Sequence, residues 1–122
     1  MGAASPPPVA LLALVDTGAS NSGVREGTFA RIGVQPTDSL RIRTVQGVIA
    51  SAPVYLGRML FPGGLVIPVS AAELALREGD PDCILGRDIL SRGRMEYDGE
   101  TGSCRLWIRG VEIPVEEPTL PA

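Results

Sequence analysis

The segment Leu14-Val15-Asp16-Thr17-Gly18-Ala19-Ser20 sets a carboxylate at the exit of an apolar run and follows it with residues that turn sharply. Each residue has a physical job in an acid–base site. The apolar run makes the Asp16 position rigid and partly desolvated. Gly18 leaves room for another backbone to approach, and the Thr17 hydroxyl can donate and accept across an interface. Hydrolysis by carboxylates needs two acids, one ionised to activate a water and one protonated to polarise the scissile carbonyl. Two carboxyl groups a few ångströms apart cannot both ionise, so they share a proton. This chain offers the segment once. A two-fold dimer would supply the second copy, with the symmetry axis between the two Asp16 side chains.

Other chemistries are excluded by what is missing. The 122 residues include no histidine, which removes Ser-His-Asp and Cys-His catalysis and the His-containing zinc sites. No metal and no organic cofactor is implied. The two cysteines, Cys83 and Cys104, fit neither a CxxC motif nor a disulfide framework and read as small buried thiols. The net charge is −3 and the arginines are scattered among acids without interleaved aromatics, so no nucleic-acid partner is expected. No stretch approaches the roughly 20 apolar residues that span a bilayer. The run from Val9 to Val15 has no Lys or Arg before it and Asp16 directly after it, unlike a signal peptide. The expectation is a cytoplasmic protein or an excised soluble domain, without a membrane partner.

By itself Asp-Thr-Gly is also the composition of a surface turn. A second motif adds weight. Cys83-Ile84-Leu85-Gly86-Arg87-Asp88-Ile89-Leu90 is a hydrophobic strand end with glycine that runs into a short helix. Between the two, Arg43-Thr44-Val45-Gln46-Gly47-Val48-Ile49 has hairpin chemistry.

These three segments, in this order, resemble the catalytic loop, the second signature and the flap of the retropepsin-like aspartic proteases. The likeness covers about residues 9–109. It implies an all-β, retropepsin-like closed barrel with a flap hairpin and one or two short helices, active as a two-fold dimer. The implied activity is an aspartic endopeptidase acting on extended polypeptides, its partners being itself and that substrate. The implied catalytic segment is Asp16, Thr17 and Gly18, with Thr17 bonding to the loop of its counterpart. Substrate would be held by Ala19, Val45, Gln46, Gly47, Val48 and Ile84. Gly86, Arg87 and Asp88 would hold the structure and the dimer. Retroviral members carry Asp after Asp-Thr-Gly-Ala, where this chain has Ser20, so Arg87 lacks its usual partner. That departure is similar to the bacterial and ubiquitin-receptor-type members. The alternative reading is a catalytically weak dimer of the same fold that binds peptides or serves as a dimerisation module.

These motifs must be positioned by short elements. Residues 1–8, ending in Pro6-Pro7-Pro8, read as a disordered leader, residues 9–115 as the domain, and residues 116–122 as a flexible tail. Val9 to Val15 reads as a strand buried on both faces. Val24 to Arg31 reads as a short helix capped by Ser22 or Asn21 and weakened by Gly27. Ser39 to Val45 and Val48 to Leu56 read as a hairpin, and Gly64 to Val69 as a strand. Ser70-Ala71-Ala72-Glu73 has capping-box spacing for one or two helical turns. A brief strand at 82–85, a helix from Arg87 to Arg92 closed by Gly93, and strands at 95–97, 103–109 and 111–115 complete eight or nine strands.

Overall fold

Short apolar runs punctuated by Gly and Pro give strands rather than helices, and the computed structural model contains nine of them among its described residues. It describes residues 7–43, 47 and 49–115. The strands are β1 (Ala13–Val15), β2 (Gly23–Arg25), β3 (Asp38–Arg43), β4 (Ile49–Phe61), β5 (Leu65–Leu74), β6 (Cys83–Leu85), β7 (Gly93–Asp98), β8 (Ser103–Ile108) and β9 (Val111–Ile113). Among the described residues two one-turn α-helices interrupt them, α1 (Thr28–Arg31) and α2 (Arg87–Leu90), and a 3-10 turn at Pro62–Gly64 links β4 to β5.

One sheet has the order β1-β6-β2-β5-β4-β3, and a second has the order β7-β8-β9. The expected closed barrel is not formed: among the described residues neither sheet joins its own edges. With β1 and β6 only three residues long, the ladder has no length in which to stagger and close. The core is closed instead by packing one sheet on the other. Val24, Phe29, Tyr55, Ile67, Val69 and Leu85 from the first side meet Leu106, Ile108 and Ile113 from the second in one buried cluster. Phe29 stacks on Tyr55 with ring centroids 4.6 Å apart, and the absence of a side chain at Gly57 makes room for the Phe29 ring.

Several local expectations change. The run before Asp16 is a strand only at β1, and it is not covered on both faces, since Leu12 is 58% and Leu14 47% exposed in the single chain. The segment from Val24 splits into β2 and α1. Gly27 marks the break, with φ of 86° ahead of the helix, a conformation glycine adopts freely. The capping-box segment is not helical but continues β5 to Leu74, because Ala71 and Ala72 are buried and pair with Tyr55 and Val54 of β4. Glu73 accepts the Gly27 amide instead, at 2.9 Å. Gly93 opens β7 rather than closing α2. A Cβ there would run into the Trp107 carbonyl oxygen, so close backbone approach is what it provides.

The β3–β4 hairpin is present, paired antiparallel from Asp38↔Val54 to Arg43↔Ile49. At its tip Gly47 is exposed with φ of 82°; Val45, Gln46 and Val48 lie outside the described residues. Both thiols are free; Cys83 is buried and Cys104 half-buried. No described helix is long and apolar enough to cross a membrane.

Candidate active site

Strand pairing brings together motifs seventy residues apart in sequence, between Asp16 and Gly86. β6 inserts between β1 and β2, parallel to the first and antiparallel to the second. The parallel register Ala13↔Cys83, Leu14↔Ile84, Val15↔Leu85 makes both strands leave the sheet at the same level. Asp16 and Gly86 therefore follow side by side, and the Asp16 amide donates to the Leu85 carbonyl at 3.0 Å. Ile84 is half-buried between Leu14 and Gly23.

The loop after Asp16 folds back on itself. The Gly18 amide donates to Asp16 Oδ1 at 2.9 Å, and the Ala19 amide donates to the Asp16 carbonyl at 3.2 Å. A Cβ on Gly18 would sit 3.2 Å from the same carboxylate oxygen, so glycine lets that amide approach. Asp16 is half-buried, while Thr17 and Gly18 are exposed on this single chain.

The second motif clamps the loop from below. Arg87 donates through one terminal nitrogen to the Thr17 carbonyl and through the other to Ser20 Oγ, both at 2.9 Å. Its backbone amide donates to the Ala19 carbonyl at 2.8 Å. The missing retroviral carboxylate is thus replaced by a hydroxyl and a carbonyl, and the planar guanidinium fork spans both. Gly86 is packed against the loop: a Cβ would lie 2.7 Å from the Asn21 carbonyl carbon and 2.9 Å from the Ala19 carbonyl oxygen.

Ser22, fully buried, was missed as a site residue by reasoning from motifs. It does not cap α1. Its hydroxyl donates to Asp88 Oδ1 at 2.7 Å and accepts the Gly86 amide at 3.0 Å. Its amide donates to Asp88 Oδ2 at 3.0 Å, and the Ile89 amide adds a bond to Asp88 Oδ1 at 2.9 Å. Asp88 therefore ties the start of α2 to the strand that follows the Asp16 loop. No residue pattern announces it: Ser22 is buried because Gly23-Val24 pair with β6, and a polar residue at the start of a buried strand needs a partner.

Of the residues singled out from sequence, Asp16 to Ser20, Ile84 and Gly86 to Asp88 come together. Gly47 lies at the tip of the β3–β4 hairpin.

Comparison with known proteins follows the same outline. The family model described as gag-polyprotein putative aspartyl protease matches residues 9–92. The fold is similar to the crystal structure of the retroviral protease-like domain of Ddi1 from Leishmania major, with a TM-score of 0.53 and 27% identity over 92% of this chain and 90% of that one. Among curated proteins no relative matches.

Proposed function

This chain belongs to the retropepsin-like aspartic proteases, and from that membership we propose that it is an endopeptidase whose dyad is Asp16 and the partner's Asp16. The observation that carries the reading is the clamped loop, in which Gly18 fixes one oxygen of Asp16 and Arg87 fixes the backbone beneath it. A carboxylate held in this way keeps its orientation without a reorganisation cost at the moment of reaction.

In the proposed mechanism the two carboxyl groups share one proton. The ionised one takes a proton from water as that water attacks the scissile carbonyl, and the protonated one hydrogen-bonds the carbonyl oxygen. Collapse of the tetrahedral intermediate returns a proton to the leaving amine. An extended peptide would lie across the cleft and pair with the β3–β4 hairpin by strand addition.

The test is cleavage of a mixed peptide library at pH 4 to 7 by wild type and Asp16→Asn. Wild type is expected to cut and to be blocked by a statine-type transition-state mimic, with the variant slower by roughly 10²–10⁴. Equal cleavage by both proteins would refute the dyad. Tight binding of uncut peptides by wild type would move the assignment to a peptide-binding module of the same fold.

A further inference from the structure

We propose that Asp82, held by Arg25, is a positioning residue for Asp16: it fixes the register of β1 beside β6 and so sets where the carboxylate leaves the sheet. Asp82 acts on Asp16 only through the backbone, and its role in the reaction rests on the protease reading above.

β1 is a slender support for a side chain that must sit accurately. It is three residues long and, among the described residues, pairs only with β6, through three parallel pairs. Its apolar side chains anchor it poorly, since Leu12 and Leu14 are exposed. Parallel pairing is slightly less stable per residue than antiparallel pairing, and a slip of one residue turns every side chain to the opposite face. Such a slip would carry Asp16 about 3.3 Å along the strand, away from the Leu85 carbonyl that its amide engages.

Asp82 opposes that slip from the far end of the ladder. It directly precedes β6, and its Oδ2 accepts the amide of Leu12, the residue before β1, at 3.0 Å. Its own amide and that of Cys83 donate to the Leu12 carbonyl, at 2.8 and 3.3 Å. Both backbone polar groups of Leu12 are thus engaged at the entry to β6. Only the bond to the carboxylate depends on side-chain identity, and a bond to an ionised acceptor is roughly twice as strong as a neutral one.

Arg25 holds the carboxylate in this pose. Its Nε lies 3.5 Å from Asp82 Oδ1, the oxygen not used by Leu12, and its amide donates to the Asp82 carbonyl at 2.8 Å. Its terminal nitrogens donate to the carbonyls of Leu76, Asp80 and Pro81 at 3.0, 2.8 and 3.3 Å. The loop leading into β6 is therefore wrapped around one guanidinium. The Arg25 and Asp82 side chains are 26% and 41% exposed, and an ion pair this open to solvent adds little to global stability. What it supplies is geometry. Arg87 holds the loop after Asp16, and Asp82 holds the strand before it.

The experiment measures kcat and KM for wild type, Asp82→Ala and Asp82→Asn at protein concentrations where the rate is linear in protein. Backbone amide exchange is followed at Asp16 and, as a reference in the second sheet, at Leu106. Asp82→Ala is expected to lower kcat by roughly 10–100-fold, the scale of an ångström of misplacement, with KM little changed. Its Asp16 amide should exchange roughly tenfold faster or more, while Leu106 keeps its wild-type rate. Asp82→Asn retains an oxygen for the Leu12 amide and should recover most of both properties. Should Asp82→Ala not fold, Arg25→Met, which frees the carboxylate without removing it, is expected to show the same pattern to a smaller degree. Wild-type kcat and wild-type Asp16 exchange in the variant that folds would overturn the proposal. Exchange rising equally at Asp16 and Leu106 would also overturn it, since that marks a general loss of stability. A wild-type chain that cuts nothing would remove the protease reading, and faster exchange confined to Asp16 in the variant would still support the register role.

Discussion

The Gly18 amide engages one oxygen of Asp16, so the loop that follows the carboxylate also sets its rotamer. That loop is in turn held by groups with no chemical role of their own, Arg87 on its carbonyls and Ser22 on the Gly86 amide. Arg87 was legible from its motif, whereas its partners were not, because Ser20 replaces the expected carboxylate and the Thr17 carbonyl is a backbone atom that no sequence pattern announces. Ser22 was illegible for a related reason: its burial depends on β6 entering between β1 and β2, a long-range event. Cys83 shows what the same insertion does to a side chain. Burial, and secondarily the neighbouring Asp82 carboxylate, push its thiol from an ordinary 9.0 up to about 11. The folded state therefore holds its proton longer than the unfolded chain does. The stability tied to that proton is complete below pH 9 and is lost as pH rises from 9 to about 11. Iodoacetamide at pH 8 should modify half-buried Cys104 first and Cys83 only after unfolding. Cys83→Ala should also flatten the alkaline fall in unfolding free energy. Equal native labelling of both thiols would contradict this account.

At the scale of elements, the docking of β6 and α2 on the loop from Asp16 to Asn21 depends on Gly86 having no side chain. A Cβ there would meet backbone carbon and oxygen within 3 Å, atoms that cannot swing aside as a side-chain end can. Gly86→Ala is expected to cost about 1–3 kcal/mol in a urea titration and to lose cleavage beyond that expected from stability alone, because the shifted loop carries Asp16. A fully stable, fully active variant would show that the loop yields freely. The strands and the hairpin around 43–49 were readable from alternation and turn residues. The β5 continuation was not, since Ser70-Ala71-Ala72-Glu73 satisfies a helix-start rule locally while the facing strands β2 and β4 recruit it as sheet. Tertiary pairing outweighs a capping preference worth about 1 kcal/mol. The separation into two sheets was equally hidden, because it follows from the brevity of β1 and β6 rather than from any residue type.

For the molecule as a whole, the single chain leaves apolar side chains uncovered in several places: Leu12 and Leu14 beside Asp16, Met95 and Tyr97 on β7, and Leu56, Leu60 and Val66 on the β4–β5 hairpin. Isolated exposed apolar residues need no explanation, but Leu12 and Leu14, just before and on β1, shortly precede the one carboxylate that the proposed chemistry requires in duplicate. A dyad split between two chains makes activity a property of association. Well below the dissociation constant the dimer population varies with the square of total protein, so the rate should vary with that square also, becoming linear once dimers predominate. Adding the Asp16→Asn chain to wild type should lower the rate by more than dilution alone, since mixed dimers carry one competent carboxylate. A rate strictly proportional to protein throughout, in a chain that sediments as a monomer over the same range, would show that one Asp16 suffices. The active unit would then have to find its second acid within the same chain.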